Sequence, residues 1–183
     1  MEMQITEELS KIFHYSKEEA MRTGTYQISP GHMLLGILRH EDNEACAILR
    51  SCGADLPECK NFLEARLFNA TSIPYCDEDK ITLSRSAENA FSMTLFEASM
   101  SGEAAVSTKH LLLALSRCSS GECEAYFKAA GIDYGAIKKL AAPAPAPQED
   151  KKETRSAEES INAIKDELIS MVELLSKENK IIN

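Results

Sequence analysis

The chain repeats itself at a constant spacing, and this internal repeat limits the folds that it can adopt. When the sequence is shifted by 78 positions, residues 5–56 align with residues 83–134 without a gap. The aligned pairs include glycines, a phenylalanine and a histidine in the same order: Phe13 and Phe91, Gly24 and Gly102, His32 and His110, Gly53 and Gly131. Scattered matches between helical segments arise by chance, but glycines in register at one offset indicate two copies of one structural unit.

The first two helices of each copy are marked by their end residues. Thr6 and Ser84 are suitable N-caps for a first helix, and the glycines at 24 and 102 end it. In the first copy, Ser29 followed by Pro30 begins a second helix. Both second helices are apolar on several sides, so we expect them to be buried.

Two shorter helices complete each copy. The third helix is predicted over Glu44–Arg50 and Glu122–Lys128, and each ends at a glycine. Asp55 is the predicted N-cap of the fourth helix, and Glu58 has the capping-box spacing. No segment alternates apolar and polar residues for long enough to predict a strand. The predicted fold class is therefore all-α, with two pseudo-symmetric four-helix repeats in one domain.

The composition changes after the second copy. We predict a domain over residues 1–142, with repeat one at 3–68 and repeat two at 81–142. A Pro/Ala-rich and charged linker follows at 143–157, because such a composition favours extended, solvated chain. Helical periodicity returns at 158–182, which predicts a separate amphipathic helix.

This C-terminal helix has an apolar seam that needs a partner. The seam recurs at helical spacing: Ile161, Ile164, Leu168, Met171 and Leu175. A lone helix of this length is marginal in water because helix nucleation is costly. The helix can pair with a second chain, dock on its own domain or enter a groove of a partner. The linker can keep it clear of the domain, which favours a partner or self-association over docking.

Charge and composition exclude some classes of partner. The formal net charge is -9, which argues against nucleic acid and against an anionic membrane surface. No apolar run approaches the ~20 residues of a membrane span. The chain begins Met-Glu-Met-Gln, without the basic and apolar regions of a secretory signal, so we expect a cytoplasmic protein whose six cysteines are reduced.

Candidate metal and catalytic residues give only weak signals. The cysteines lack the Cys-x-x-Cys spacing of structural zinc sites, so no metal site is expected. His32 and His110 share one repeat position, and we interpret them as side chains that join helix ends by hydrogen bonds rather than as ligands. A nucleophilic cysteine with a histidine partner has no local signature in the sequence. No phosphate-binding glycine loop occurs, so no nucleotide or other cofactor is expected.

The two copies resemble a known family in one block that recurs in both. In Ile28–Leu35 and Val106–Leu113, an aliphatic residue is followed by a histidine four positions later and then by leucines. With the Thr/Ser helix start, the Glu-Ala pair and the glycine, this order resembles the Clp N-terminal domain, which precedes the ATPase modules of Clp-type unfoldases. The resemblance covers roughly residues 3–142. It implies a domain that binds adaptors and substrates and has no catalytic activity of its own.

The resemblance also implies candidate binding residues, and two of them depart from the family pattern. Clp unfoldases of the ClpC type carry a glutamate in this block that helps to bind arginine-phosphorylated substrates. Gly31 and Lys109 stand at those positions, whereas the accompanying Thr/Ser is retained as Thr6 and Ser84. Since neither glycine nor lysine can pair with a guanidinium group, we expect weak phosphoarginine binding or none. The four residues remain candidates for contact with a peptide or protein.

The sequence therefore predicts a stand-alone, non-enzymatic accessory module of a Clp protease or unfoldase system. Its expected partner is a peptide substrate, an adaptor or a Clp subunit, with self-association through the C-terminal helix as a further contact. The alternative is an independent oligomeric scaffold with this fold and no Clp partner. A hydrolase that uses a cysteine or histidine between the repeats is the remaining hypothesis.

Overall fold

The computed structural model describes residues 3–142 apart from Ala70, together with Lys165 and Ile169. Repeat one contains four helices: α1 (Glu7–Thr23), α2 (Pro30–Arg39), α3 (Glu44–Ser51) and α4 (Leu56–Leu67). Repeat two contains their counterparts: α5 (Arg85–Ser101), α6 (Thr108–Ser116), α7 (Glu122–Ala130) and α8 (Tyr134–Ala141). A 3-10 helix over Tyr75–Lys80 lies between the repeats. The predicted all-α architecture of two four-helix repeats is confirmed.

The helices begin and end where the predicted capping residues stand. Thr6 Oγ1 accepts a hydrogen bond from the Leu9 backbone N–H at 3.2 Å, and Ser84 Oγ accepts one from Ala87 at the same distance. At the other end, Gly24 has φ 80°, a left-handed conformation that side-chain-bearing residues rarely adopt. These local signals fix the length of the long first helix in both repeats.

Four short strands, which the sequence pattern does not predict, join the repeats. The strands are β1 (Gln4–Ile5), β2 (Gln27–Ile28), β3 (Thr82–Leu83) and β4 (Ala105–Val106). β1 pairs with β4 and β2 pairs with β3, both in parallel. Each pair therefore takes one strand from each repeat. Strands of two residues are too short to show an alternating pattern, which explains why periodicity carries no signal for them.

The second helices form the centre of the molecule, as their composition predicts. α2 and α6 pack against each other and each contacts helices of both repeats. Leu34 and Leu112, at equivalent positions, are fully buried. Near the pseudo-two-fold axis Phe13 and Phe91 meet edge to face, with ring centroids 5.4 Å apart. Two amphipathic units thus bury their apolar surfaces in one continuous core.

In each repeat, a buried glutamate pairs with a partly exposed arginine, at the matching Glu-Ala and Arg positions. Glu97 is 3% exposed and accepts a hydrogen bond from Arg117 at 2.9 Å. Glu19 and Arg39 form the equivalent contact in repeat one, at 3.4 Å. The pair joins the first helix of each repeat to the end of the second helix, so it sets their relative position.

The predictions about the C-terminal part fall outside the described residues. This applies to the linker at 143–157, to the helix at 158–182 as a unit, and to all five residues of its apolar seam. Within the described residues, no helix has both the length and the apolar character that a membrane span requires.

We predict that the two central leucines contribute equally to stability. Leu35 and Leu113 are 2% and 5% exposed, so replacement of either by alanine should lower the free energy of unfolding by ~2–5 kcal/mol, because each leaves a cavity in the core. Leu140, which is 47% exposed, is the control, and Leu140→Ala should change stability by less than ~0.5 kcal/mol. Denaturant unfolding of the three variants measures this. A cost for Leu35 or Leu113 as small as that of Leu140 would contradict the repeat alignment.

Candidate functional site

The strand pairs place the candidate binding residues at two equivalent junctions between the repeats. At the first junction, β1 runs beside β4, and the Thr6 backbone N–H donates to Val106 O at 3.0 Å. Thr6 therefore lies next to the start of α6, which carries Lys109. At the second junction, the Ser84 N–H donates to Ile28 O at 3.0 Å, which places Ser84 next to the start of α2.

Each junction thus combines a Thr or Ser of one repeat with the residue of the other repeat that replaces the family's glutamate. The structure brings Thr6 together with the α6 start, and Ser84 together with the α2 start that carries Gly31. Neither hydroxyl is free of other contacts, because each caps the helix that follows it. The pairing follows from the exchange of strands between repeats, for which the sequence pattern holds no signal.

The first junction is occupied by side chains of the protein itself. Thr108 donates through Oγ1 to Glu8 Oε2 at 3.4 Å and accepts from the Ala45 N–H at 3.3 Å. Lys109 Nζ lies 2.8 Å from Glu103 Oε1, and its side chain is only 13% exposed. The Lys109 ammonium group therefore neutralises the Glu103 carboxylate of its own chain. The helix α6 itself offers no carboxylate to a ligand at the first junction.

The second junction is small and polar. Ser84 Oγ and Ser86 Oγ are 3.0 Å apart at the first turn of α5. A side chain at position 31 has little room, because a Cβ built on Gly31 would lie 2.9 Å from Leu67 Cδ1 and 3.2 Å from Glu122 Oε2. Glycine at this position therefore fits the packing of α2 against α4 and α7. A glutamate at position 31 would have to displace Leu67, and it would lie beside the Glu122 carboxylate.

A cavity of about 170 Å³ opens beside the second junction. It lies between α5, the end of α6 and the start of α2, and both small polar and apolar side chains line it: Pro30, Ser86, Asn89, Ala90, Met93, Ala114, Arg117, Cys118, Ser119 and Ser120. The Arg117 guanidinium is held by Glu97 and lies 5.2 Å from the Tyr134 ring centroid. The cavity can accept one side chain and offers hydroxyl and amide groups to a neighbouring backbone.

Most of the equivalent positions of repeat one carry larger side chains. Subtracting 78 from the cavity positions gives Glu8 for Ser86, Ile12 for Ala90, Tyr15 for Met93 and His40 for Cys118. Tyr15 is also held in place, since the Arg39 guanidinium lies 5.0 Å from its ring centroid. The backbone has the same arrangement at both junctions. Larger side chains fill the first junction, whereas smaller side chains leave the second junction open.

The two equivalent histidines join helix ends, as predicted. The Ser29 backbone N–H donates to His32 Nδ1 at 2.9 Å, and His32 Nε2 lies 2.9 Å from Thr23 Oγ1. His110 repeats the arrangement with Ser107 at 3.0 Å and Ser101 at 3.1 Å. Because Nδ1 accepts a hydrogen bond, the neutral ring carries its proton on Nε2, which donates to the hydroxyl. Both ring nitrogens are used, which leaves neither one for a metal or a substrate.

Burial determines the protonation of these groups. It lowers the pKa of His32 from 6.5 to about 4, with the positive charge of Arg22 adding to the effect. It raises the pKa of the Cys46 thiol to about 11 and that of Cys59 to about 12. Thiols with such pKa values are poor nucleophiles at neutral pH. The hypothesis of a cysteine hydrolase therefore gains no support from these two side chains.

Cysteine chemistry and metal binding also have little basis in the geometry. All six cysteines are free thiols: Cys46, Cys59 and Cys123 are buried, Cys52 and Cys118 are half-buried, and Cys76 is exposed. In the part of the chain that the structure describes, no group of three or more His, Cys, Asp or Glu side chains is arranged to hold a metal ion.

The candidate residues from the sequence lie at the two junctions, but none of them lines the cavity. Thr6, Gly31, Ser84 and Lys109 all lie at the junctions, and the cavity residues carry no recognisable motif. The signal that could have found the cavity is the difference between the copies, because small side chains in repeat two replace large ones in repeat one. When the repeats are aligned, a comparison of side-chain volumes indicates that the cavity lies at α5, whereas a comparison of residue types does not.

The chain is similar to proteins of one family. The family model described as the Clp repeat (R) N-terminal domain matches residues 4–130. The chaperone protein ClpB of Oceanobacillus iheyensis is 30% identical over 116 residues, which are 63% of this chain and 14% of that protein. The negative regulator of genetic competence ClpC/MecB of Bacillus subtilis is 27% identical over 116 residues, with the same coverage of 63% and 14%. The chain thus matches only a small part of the length of these curated relatives.

Solved structures share the fold. The Hsp104 N-terminal domain from Candida albicans superposes with a TM-score of 0.63 at 20% identity, covering 75% of this chain and 89% of that one. The N-terminal domain of the caseinolytic protease associated chaperone ClpD from Arabidopsis thaliana gives 0.59 at 14% identity, covering 75% and 94%. At these identities the likeness concerns the fold alone.

We predict that acid destabilises the fold through His32. The pKa of this group is about 4 in the folded chain, against an ordinary value of 6.5, so the unfolded chain binds more protons between these pH values. The stability contribution is therefore complete above pH ~6.5 and is lost progressively as the pH falls towards 4, by up to about 3 kcal/mol. His32→Gln keeps a side-chain acceptor at the capping-box position and does not titrate. Denaturant unfolding as a function of pH should show a steeper acid loss for the wild type than for His32→Gln, and parallel curves would contradict the prediction.

Proposed function

The chain belongs to the Clp repeat (R) N-terminal domain family, and from this membership we propose that it is a non-catalytic binding module of a Clp protease or unfoldase system. Its ligand is a peptide segment of a substrate, an adaptor or a Clp subunit. The observation that supports this most directly is the open cavity at the second junction, next to the helix starts of both repeats. The sequence has no phosphate-binding glycine loop, so the proposed role does not include ATP hydrolysis.

The proposed contact uses one side chain of the ligand and its flanking backbone. Met93, Ala90 and Pro30 supply apolar surface, while Ser86 and Asn89 supply hydrogen-bonding groups at the cavity. Such a mixture fits recognition by a few placed polar groups around an apolar pocket. A contact of this size is weak by itself, which suits a module that passes its ligand on.

We also propose that phosphoarginine is a poor ligand for this chain. At the first junction, Lys109 is paired with Glu103, and its ammonium group offers no acceptor to a guanidinium group. At the second junction, Gly31 offers no carboxylate from α2, and the space beside it holds Leu67. The ligand would thus be recognised through an ordinary peptide segment rather than through a modified arginine.

We predict that closing the cavity abolishes partner binding. Asn89 is exposed on α5, so Asn89→Trp should cover the cavity without disturbing the core. The matched control is Lys11→Trp, the equivalent exposed position of repeat one, where no such role is proposed. The full chain and both variants would be immobilised and exposed to the purified Clp unfoldase and adaptor proteins of the same cell.

The expected result is retention of a Clp component by the wild type and by Lys11→Trp, with a loss of at least about tenfold in affinity for Asn89→Trp. Equal retention by all three proteins would place the contact elsewhere. Failure of the wild type to retain any Clp component, together with self-assembly in light scattering, would favour the independent scaffold instead.

We predict no saturable binding of free phosphoarginine by the wild-type chain. The physical reason is that neither α2 nor α6 presents a free carboxylate at its junction. Isothermal titration at low salt measures this, with phosphoserine as a control for nonspecific attraction of the phosphate. Saturable heats for phosphoarginine alone, lost in Thr6→Ala or Ser84→Ala, would show that the junctions bind it by other groups.

A further inference from the structure

The outer face of α5 carries an apolar ridge made of Met93, Phe96 and Met100. These residues lie three and four positions apart, so their side chains share one face of the helix. Phe96 is 42% exposed and Met100 is 66% exposed, while Met93 is half-buried at the border of the cavity. Large apolar side chains in a row on a surface helix indicate a contact surface.

The fold itself does not require apolar residues at these positions. The equivalent residues of repeat one are Tyr15, Glu18 and Arg22. Glu18 pairs with Arg39 at 2.6 Å, and Arg22 pairs with Glu64 at 2.6 Å, so this face of α1 is a solvated, ion-paired surface. The same backbone position is thus polar in one repeat and apolar in the other, and packing within the domain does not explain the difference.

We propose that the α5 ridge is the docking site of residues 158–182 of the same chain. The segment would bind as an amphipathic helix, with its apolar seam on Phe96 and Met100. The seam supplies five large apolar side chains at helical spacing: Ile161, Ile164, Leu168, Met171 and Leu175. The segment itself contains no second apolar surface that could cover them. Both apolar surfaces would then be removed from water by one contact.

The helix α8 begins beside α5. Tyr134, at the start of α8, donates from its hydroxyl to Glu97 Oε2 at 3.0 Å. Met93 and Met100 lie four residues before and three residues after Glu97 on α5, so they are neighbours of this buried residue on the helix surface. α8 continues only to Ala141, about 12 Å further along its axis. Residues 143–157 can span up to about 45 Å when extended.

Two lysines of α8 and the acidic side chains of the segment carry opposite charges. Lys138 and Lys139 are exposed on α8, and Lys138 Nζ lies 5.2 Å from the centroid of the Tyr134 ring, whose hydroxyl donates to Glu97. Residues 156–183 contain six acidic and three basic side chains. Unlike charges at the edge of an apolar contact steer it and fix its orientation.

Tethering favours this occupant over a second copy. A connection of 15 residues within one chain gives the segment an effective concentration at a surface on its own domain that does not depend on the protein concentration. Docking within one chain therefore prevails at ordinary protein concentrations, unless the contact between two copies is far stronger. Tethering thus favours docking on the chain's own domain, whereas the linker composition alone favoured a partner or self-association.

The test is hydrogen exchange of the full-length chain, read by mass spectrometry on peptides from residues 158–182. The ridge variant combines Phe96→Asp with Met100→Asp, and the segment variant is Leu168→Asp. Phe68→Asp is the control, because Phe68 is an exposed phenylalanine of repeat one outside the ridge. Peptides from the buried helix α6 report whether each variant is folded, and light scattering gives the mass of each protein.

The expected result is a protected segment in a monomeric wild type and in Phe68→Asp. The ridge variant and Leu168→Asp should each lose at least about tenfold of that protection while α6 stays protected, since either change places a charge in the contact. Combining the ridge and segment changes should cause no further loss, because they remove the same contact.

Three results would overturn the proposal. A segment unprotected in the wild type would show that it does not dock. Protection that survives in the ridge variant would place the contact on another surface. Protection that depends on protein concentration, with the mass of a dimer that becomes monomeric in Leu168→Asp, would show that the segment pairs with a second copy.

Discussion

The exchange of strands between the repeats determines the arrangement of everything else. β1 pairs with β4 and β2 with β3, so each repeat contributes one strand to each pair. This arrangement relates the repeats by a pseudo-two-fold axis, near which Phe13 meets Phe91. It also places the first helix start of one repeat against the second helix start of the other. Both candidate junctions are products of this exchange, although the hydrogen bonds involved are few.

The proposed contacts depend on the differences between two repeats that share one backbone arrangement. Ion pairs between the first two helices, and histidines that join their ends, occur in both halves. Around these shared contacts, repeat two has smaller side chains at the junction and apolar ones on the outer face of α5. A duplicated unit can keep one copy closed and charged while the other copy develops an open cavity and an exposed ridge. The asymmetry therefore concentrates the proposed contacts on repeat two.

Most of the fold could be predicted from the sequence because the signals were local. Capping residues such as Thr6 and Ser84 and the glycines at 24 and 102 set helix ends without reference to tertiary structure. The strands could not be predicted, since two-residue strands have no pattern and their partners are distant in sequence. The room at Gly31 and the pairing of Lys109 with Glu103 also depend on neighbours from other elements. The sequence therefore indicated residues that lie at the two junctions, but the contacts of these residues and the room around them could not be predicted from it.

The mutual exchange of strands has a consequence for the covalent chain. The segment between α4 and β3 includes exposed Tyr75 and joins two halves that are already held by both strand pairs, by the contacts of α2 with α6 and by the central phenylalanines. A peptide bond cut in this segment would leave two fragments that remain assembled. Each fragment alone would expose half of the core. The two repeats are thus suited to reconstitution from separately made pieces, with assembly itself as the step that completes folding.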